Sequence, residues 1–465
     1  MSFKYYLPFL FLFHSYSFAD EIKNTQPLFF EKKPEIKPDL LITPEKKNLS
    51  IGISDMDVDP SECINLSILK KDWNSLDICL TRYKKTDNYD EILYQYGLGA
   101  LYYNKGNRNK AIELYQSLLY KNPDLTYPRF DLAMMLFQDQ RYKEAKSEFE
   151  TVKNTLTPQM QTLVNQILLT INRSEKWNTA LNFNYEKTDN VNQASDLKII
   201  TIGNATFIRS EEDLPQKAEG FGYNINLSKD TNISKNNYIN ISTTIDGLYY
   251  WDNKDYNEQT YRLDIGYKNK NFKRTWGITP FIEQNELGNE HYNSNYGIIF
   301  DFNTKILDKY QISTNLSHIK RKYRDETLSE IYNGYTNSQV ALMIYQPKLN
   351  FILYSGLDAM QDHLKDKSES SQSTGLRFGT IHTNNFLNIR ADLRYANRNF
   401  EDENFWYNEK RKDKIYETTV TVWQNKIQWK NFTPKLNYKY QNIDSNLELY
   451  TRNNSSFFLT IDKTF

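Results

Sequence analysis

The sequence predicts a chain of α + β class in two parts, an α-helical repeat domain followed by a 14-stranded antiparallel transmembrane β-barrel, with 16 strands as the alternative. Three observations support this prediction. A 34-residue helical repeat lies within residues 61–175, and apolar and polar residues alternate with a period of two across residues 177–465. The composition is polar yet rich in aromatic residues, which suits a barrel with an apolar outer face and a polar interior.

The composition also excludes several classes of protein. The 465 residues include 58 basic and 58 acidic side chains, so the formal net charge is zero and no basic excess supports nonspecific nucleic-acid binding. Beyond the N-terminus no apolar run reaches the ~20 residues that a transmembrane helix needs. Aromatic residues make up 15% of the chain, which argues against disorder throughout, because disordered chains are poor in aromatic residues.

The first 19 residues have the pattern of a secretory signal peptide. Lys4 precedes an apolar stretch from Tyr5 to Phe13, and Ser17-Phe18-Ala19 forms a cleavage site with small residues. Residues 20–60 follow as a linker rich in Pro, Lys and Glu, whose composition cannot bury enough apolar surface to become ordered. We therefore expect export, with residues 1–19 removed and residues 20–60 disordered.

Export bears on the two cysteines, Cys63 and Cys79. They are separated by 15 residues, and an oxidising compartment permits a disulfide between them. In the chain-entropy description, such a bond would add on the order of 3 kcal/mol of stability. Two buried thiols within a helical hairpin are the alternative.

The segment 61–175 has helical periodicity and repeats every 34 residues, which is the period of tetratricopeptide repeats. The matching pairs are Leu98 with Leu132, Ala111 with Ala145, Tyr115 with Phe149, and Leu118 with Val152. We expect one helix–turn–helix unit over 92–125, a second over 126–159, a degenerate earlier hairpin over 61–86 and a capping helix over 158–173. The segment is thus predicted to be a short tetratricopeptide-like solenoid.

In tetratricopeptide proteins, fixed positions on the first helix of each repeat line a concave groove. Here these positions carry aromatic side chains and a methionine: Tyr96, Tyr103, Tyr127, Phe130, Met134 and Phe137. Such side chains suit an apolar peptide or an extended polypeptide. Packing against neighbouring helices is the alternative interpretation.

From Trp177 the periodicity changes to two. Ile389, Leu393 and Tyr395, for example, alternate with Arg390 and Arg394. Such segments reach the 9–11 residues that a tilted strand needs to cross a membrane. Aromatic residues at strand ends, such as those at 261 and 267, fit the interfacial girdles of outer-membrane barrels.

The connections between strands determine the predicted strand number. Short connections at 269–272, 307–309, 346–348 and 383–385 alternate with long ones at 324–333, 362–370, 401–412 and 445–454. Fifteen segments qualify as strands, but a helical domain and a C-terminus on the same side require an even number. Leu197–Ile208 fits least well, so we expect residues 190–218 to form a long first external loop and 14 strands to remain.

The C-terminus resembles the assembly signal of bacterial outer-membrane proteins. The chain ends at Phe465, and Phe457, Leu459 and Ile461 alternate upstream on one face. Lys463 departs from this apolar pattern, although a lysine at the rim can extend its ammonium group to water. The predicted partner of this signal is the barrel assembly machinery.

We predict no catalytic site, metal site or cofactor. The mature His residues are His291, His318, His363 and His382, and none belongs to an HExxH motif. CxxC, GxSxG and P-loop motifs are also absent from the sequence. Arg262, Arg390 and Arg394 are expected in the barrel lumen, where they could steer a passenger or simply line a water-filled wall.

The order of linker, short repeat domain and barrel resembles that of the surface lipoprotein assembly modifiers of Gram-negative bacteria, over residues 85–465. Two local features carry the resemblance: Trp177 followed by Asp189-Asn190-Val191-Asn192, and a closing run. That run comprises Arg411, Asp413, Trp429, Pro434, Tyr438, Tyr440, Asn446 and the terminal Phe465.

The resemblance implies an outer-membrane location with the helical domain in the periplasm. It further implies that the barrel moves client surface lipoproteins, or related secreted haem-binding proteins, from periplasm to cell surface. The repeats would receive the client and the barrel would pass it outward, amid outer-membrane lipids. Two alternatives are an exopolysaccharide exporter, which usually has many more repeats, and a passive solute porin with a periplasmic docking module.

Overall fold

The computed structural model describes residues 59–87, 89–202, 205–307, 309–427 and 432–464. These residues form two compact units, one helical and one built of β-strands. The predicted signal peptide 1–19, linker residues 20–58, Trp429 and Phe465 lie outside the described residues.

Seven α-helices form the helical unit in the described ranges. They are α1 (Pro60–Lys70), α2 (Trp73–Tyr83), α3 (Glu91–Asn104), α4 (Arg108–Lys121), α5 (Thr126–Gln138), α6 (Tyr142–Val152) and α7 (Pro158–Ser174). Pro60, which the sequence analysis assigns to the linker, is the first residue of α1. The helix begins there because the Asp59 carboxylate accepts hydrogen bonds from two backbone N–H groups of its first turn.

The helical core follows the 34-residue repeat. Tyr115 and Phe149, which correspond in the two repeats, are both fully buried. Gly99 of α3 allows α4 to approach closely, since a Cβ atom at this position would lie 2.2 Å from Cε2 of Tyr115. The repeat positions thus act as packing contacts between the paired helices.

A second apolar cluster joins α1, α2 and α3. It contains Ile64, Leu76 and Leu80 together with Cys63 and Cys79. The two cysteines form a disulfide between α1 and α2, with 5.8 Å between their Cα atoms. The bond is buried among apolar side chains.

Fourteen strands close into one antiparallel barrel. They are β1 (Asn178–Thr188), β4 (Ala218–Ser234), β5 (Asn237–Tyr250), β6 (Glu258–Lys270), β7 (Arg274–Leu287), β8 (Glu290–Leu307), β9 (Tyr310–Tyr323), β10 (Gly334–Lys348), β11 (Phe351–Leu364), β12 (Ser371–His382), β13 (Asn388–Asn404), β14 (Glu409–Trp423), β15 (Thr433–Ser445) and β16 (Arg452–Thr464). Pairing of Ala180–Thr188 with Ser456–Thr464 closes the barrel. The prediction of 14 strands is confirmed.

The segment 197–208 does not join the barrel. Its residues form a separate two-stranded sheet, β2 (Ile199–Ile202) and β3 (Ala205–Ile208), within the connection from β1 to β4. Each strand has only four residues, too few to cross a membrane. Leaving this segment out of the strand count was therefore correct.

The connections at the two ends of the barrel differ. The four connections predicted to be long lie at one end. The connection 324–333 has its predicted length, whereas the other three are shorter because the strands continue into them, as in the pairing of Glu403 with Lys410. At the opposite end most turns are short, with the exception of the connection 424–432. The chain enters β1 and leaves β16 at this second end.

Side chains alternate between the two faces of the barrel wall. On β13, Arg394 and Arg398 are buried inside, whereas Leu393 is exposed on the outside. Leu357 and Phe378 on neighbouring strands are likewise exposed. An apolar outer surface of this kind suits contact with lipid. Within the described residues, no helix is both long and apolar enough to span a membrane.

We predict that Gly99→Val destabilises the helical unit. The added side chain would overlap the ring of Tyr115, and overpacking of this kind costs about 1–3 kcal/mol. Urea unfolding of the full-length protein in detergent, followed by circular dichroism at 222 nm, measures the change. Gln116→Val places the same side chain at an exposed position of α4 and serves as the control. Equal stability of the two variants would contradict the packing role of Gly99.

We also predict that the double change Cys63→Ser and Cys79→Ser lowers the free energy of unfolding by about 3 kcal/mol, because it removes the cross-link between α1 and α2. The same unfolding measurement applies, with free thiols counted in the unmodified chain under denaturing, non-reducing conditions. Two free thiols in that chain would show that the bond does not form in the cell.

Candidate functional site: the helical groove and the barrel interior

The six side chains predicted to line the groove differ in their exposure. Five of them pack in part against the helical core: Tyr96, Tyr103, Phe130, Met134 and Phe137. Tyr127, in the first turn of α5, is 59% exposed. The groove interpretation stays a prediction, and Tyr127 is the member of this set with most of its surface available to a partner.

A half-buried polar pair joins α3 and α5. The Tyr96 hydroxyl donates to the Asp131 carboxylate at 2.7 Å, and the Tyr115 hydroxyl donates to the Tyr96 carbonyl at 3.2 Å. Burial raises the pKa of Asp131 to about 6, an effect that the hydrogen bond from Tyr96 partly opposes. Asp131 is not among the residues predicted from the sequence, although an acidic residue on an otherwise apolar helix face was a usable signal.

A second polar contact involves Tyr103. Its hydroxyl donates to the side-chain oxygen of Gln138, and the Arg108 guanidinium lies over its ring, 4.9 Å from the centroid. Burial raises the pKa of Tyr103 and lowers that of Arg108. Phe137 stacks on Tyr142 with 5.6 Å between ring centroids. Tyr103 and Phe137 therefore hold neighbouring helices together, whatever else they contact.

Paired charges line one side of the barrel interior. The Asp358 carboxylate accepts from Nε of Arg377 at 2.7 Å and from Nη2 of Arg394 at 2.8 Å. Arg394 also donates to Glu417 at 3.1 Å, and Gln441 donates to the same carboxylate at 2.8 Å. The network thus runs from β11 to β15. Because each charge has an opposite partner in the wall, little net field projects from it.

The other two arginines expected in the lumen are also paired. Arg390 donates to Asp392 at 2.7 Å, and Arg262 donates to Asp264 at 2.8 Å. The Arg262 guanidinium also lies 3.7 Å from the centroid of the Phe281 ring. In each case the carboxylate lies two residues after the arginine on the same strand. The alternation of period two places both side chains on the same face, so the sequence alone could have identified these partners.

The predicted assembly signal lies on the outer face of the last strand. Phe457, Leu459 and Ile461 of β16 are all exposed there. Their role as a signal stays a prediction. Among the described residues, no group of three or more His, Cys, Asp or Glu side chains could hold a metal ion.

We predict that Asp131→Asn changes how the stability of the helical unit depends on pH. The folded chain holds the Asp131 proton up to a pKa of about 6, whereas the unfolded chain releases it near 3.8. The unmodified chain therefore loses stability as the pH rises from about 4 to about 6, on the order of 3 kcal/mol for this carboxyl. An asparagine still accepts from Tyr96 but does not titrate, so the variant gains stability relative to the unmodified chain over that range.

Urea unfolding at pH 4, 5, 6 and 7, followed at 222 nm, tests this prediction. Asp124→Asn changes an exposed aspartate of the same unit and is the matched control. A stability difference between Asp131→Asn and the unmodified chain that stays constant across the pH range would contradict the assignment.

Comparisons with known proteins agree with this architecture. A family model described as "Surface lipoprotein assembly modifier" matches residues 177–465, and one described as "Surface lipoprotein assembly modifier, N-terminal TPR repeats" matches residues 60–149. A "Surface lipoprotein assembly modifier" of Pasteurella multocida is 27% identical, over 86% of this chain and 81% of its own.

Two further relatives are similar along most of their length. "Surface lipoprotein assembly modifier 1" of Haemophilus influenzae is 25% identical, over 93% of this chain and 90% of its own. The "Hemophilin secretion modulator" of Acinetobacter baumannii is 24% identical, over 86% and 85%. Since the first family model covers the whole barrel and more than half of the sequence, this chain belongs to the surface lipoprotein assembly modifier family.

Proposed function

We propose that this protein carries client surface lipoproteins, or related secreted haem-binding proteins, across the outer membrane to the cell surface. The main observation in support of this proposal is that a single chain joins a helical repeat unit to a closed 14-stranded barrel with a polar interior. The names of the relatives, which refer to surface lipoprotein assembly and to hemophilin secretion, support this choice of clients.

In this proposal the helical unit receives the client in the periplasm. Tyr127 of α5 offers an exposed aromatic surface, and Phe130 of the same helix and Tyr96 of α3 are only partly buried. Aromatic side chains of this kind bind apolar segments of a polypeptide at little cost in conformational entropy. The receiving surface would thus favour a client that is still extended.

The barrel interior then passes the client. Several of its arginines are compensated by carboxylates within the wall, as Arg394 is by Asp358 and Glu417. A passing segment of either charge therefore meets no strong fixed field that would trap it. Since no nucleotide is available in the periplasm, folding of the client outside the cell, or its binding there, would give the transfer its direction.

The same proposal assigns a role to the outer face of β16. Phe457, Leu459 and Ile461 present three apolar side chains in a row on the last strand of the barrel. With Phe465 they would form the signal by which the barrel assembly machinery inserts the protein into the membrane.

Surface biotinylation of intact cells tests the proposed function. Cells that lack this protein should lose one or more exported proteins from the labelled fraction and accumulate them in the periplasm, and the full-length chain should restore them. An unchanged surface proteome would overturn the proposal. Those lost proteins are the clients for the next experiment.

We predict that Tyr127→Ala lowers the amount of client that co-purifies with the protein after formaldehyde crosslinking, by about fivefold, as for an exposed aromatic contact residue. Tyr120→Ala removes a tyrosine that is also exposed, but on α4 and outside the predicted groove set, and is the matched control. Barrel abundance in the membrane should be the same for both. Equal client recovery from both variants would remove Tyr127 from the receiving surface.

A further inference from the structure

The long connections, at the end of the barrel opposite the start of β1, contact one another around its mouth. The connection 324–333 contains α8 (Glu326–Tyr332), in which Leu328 and Tyr332 are buried. Its backbone carbonyls at Ile331 and Asn333 accept hydrogen bonds from the next long connection, 365–370, at 3.0 and 2.8 Å. These two connections therefore form one layer rather than separate exposed loops.

Buried tyrosines at this end of the barrel come from well-separated parts of the wall. Tyr332 lies between β9 and β10, whereas Tyr450 lies between β15 and β16, with four strands separating the two pairs in one direction and six in the other. Burial raises the pKa of Tyr332 well above its ordinary range, with Glu369, Tyr323 and Tyr450 raising it further and Arg411 lowering it. Tyr332 and Tyr450 are each only 2% exposed, so the connections around the mouth cover both rings.

Arg411 is the central contact of this arrangement. Its guanidinium lies over two rings, 4.4 Å from the centroid of Phe400 and 4.0 Å from that of Tyr450. Its Nε and Nη2 atoms donate to Asp413 at 2.9 and 2.6 Å, and it is 3% exposed. A charge this deeply buried persists only when it is paired in this way. The planar group therefore joins β13, β14 and the connection 446–451.

Hydrogen bonds hold the connection 446–451 in place from both sides. On one side the Tyr450 hydroxyl accepts from Nδ2 of Asn404 at 2.7 Å. On the other, Ser195 of the connection from β1 to β4 donates to the Glu448 carbonyl at 3.5 Å, and Asn190 donates at 3.0 Å to the carbonyl of Asn453, at the start of β16 directly after the connection. Most of these bonds join a side chain to a backbone carbonyl or to another side chain, so they can separate without breaking the barrel wall.

We propose that these connections form a closed external cap, and that the Arg411 guanidinium between Phe400 and Tyr450 holds the cap shut until a client opens it. The cap seals the barrel in the resting membrane. An emerging polypeptide supplies carbonyl and carboxylate groups that compete for Arg411 and for the donors around it. This inference rests on the proposed function in one respect only, namely that the molecule that opens the cap is a client protein.

Single-channel recording in planar lipid bilayers tests the cap with no client present. The full-length protein should show almost no open-channel events. Arg411→Ala should raise the open time by about tenfold or more, because it removes both ring contacts and leaves Asp413 without its partner. Arg324→Ala removes an exposed arginine at the same end of the barrel and should leave the protein closed.

Two milder variants decide the question if Arg411→Ala does not fold. Tyr450→Phe keeps the ring under Arg411 but removes the acceptor for Asn404, and Asn404→Ala removes the donor. Both should open the barrel less than Arg411→Ala and by similar amounts. An unmodified protein that already conducts freely, or variants as closed as the unmodified protein, would overturn the cap. Because the recording contains no client, its outcome is independent of the surface-biotinylation result.

Discussion

The closure of the barrel between β1 and β16 is the constraint on which the rest of the β unit depends. Within hydrocarbon an unpaired backbone N–H or C=O group costs several kcal/mol, so a sheet with open edges cannot cross a membrane. Pairing of Ala180–Thr188 with Ser456–Thr464 removes both edges. Closure also places alternate side chains inside the barrel. Polar groups that are buried there need interaction partners within the wall.

The charge network in the barrel interior is a consequence of this requirement. Asp358 of β11 is buried and pairs with two arginines, Arg377 of β12 and Arg394 of β13. Removing one member would leave an uncompensated buried charge, which costs several kcal/mol. The same pairing that stabilises the wall leaves an interior with balanced charge, and this suits a conduit for segments of differing sequence.

Stability is distributed unevenly between wall and mouth. The wall consists of continuous antiparallel ladders of 11 to 18 residues per strand. The mouth is closed by side-chain contacts around Arg411 and by hydrogen bonds such as that from Ser195 to Glu448. Segments held by fewer contacts open at lower free energy than ladder strands. A cap of this construction can therefore open while the barrel remains intact.

The sequence by itself determined the two-part architecture, because the periods of 34 and of two residues are properties of local order along the chain. It also favoured 14 strands over 16, since an even number was required and Leu197–Ile208 fitted the strand pattern least well. Only the tertiary structure decided which polar groups meet. Arg394 and Asp358 are 36 residues apart, and Tyr96 and Asp131 are 35 apart. Strand register and helix stacking bring such pairs together, and no local pattern encodes the distance between them.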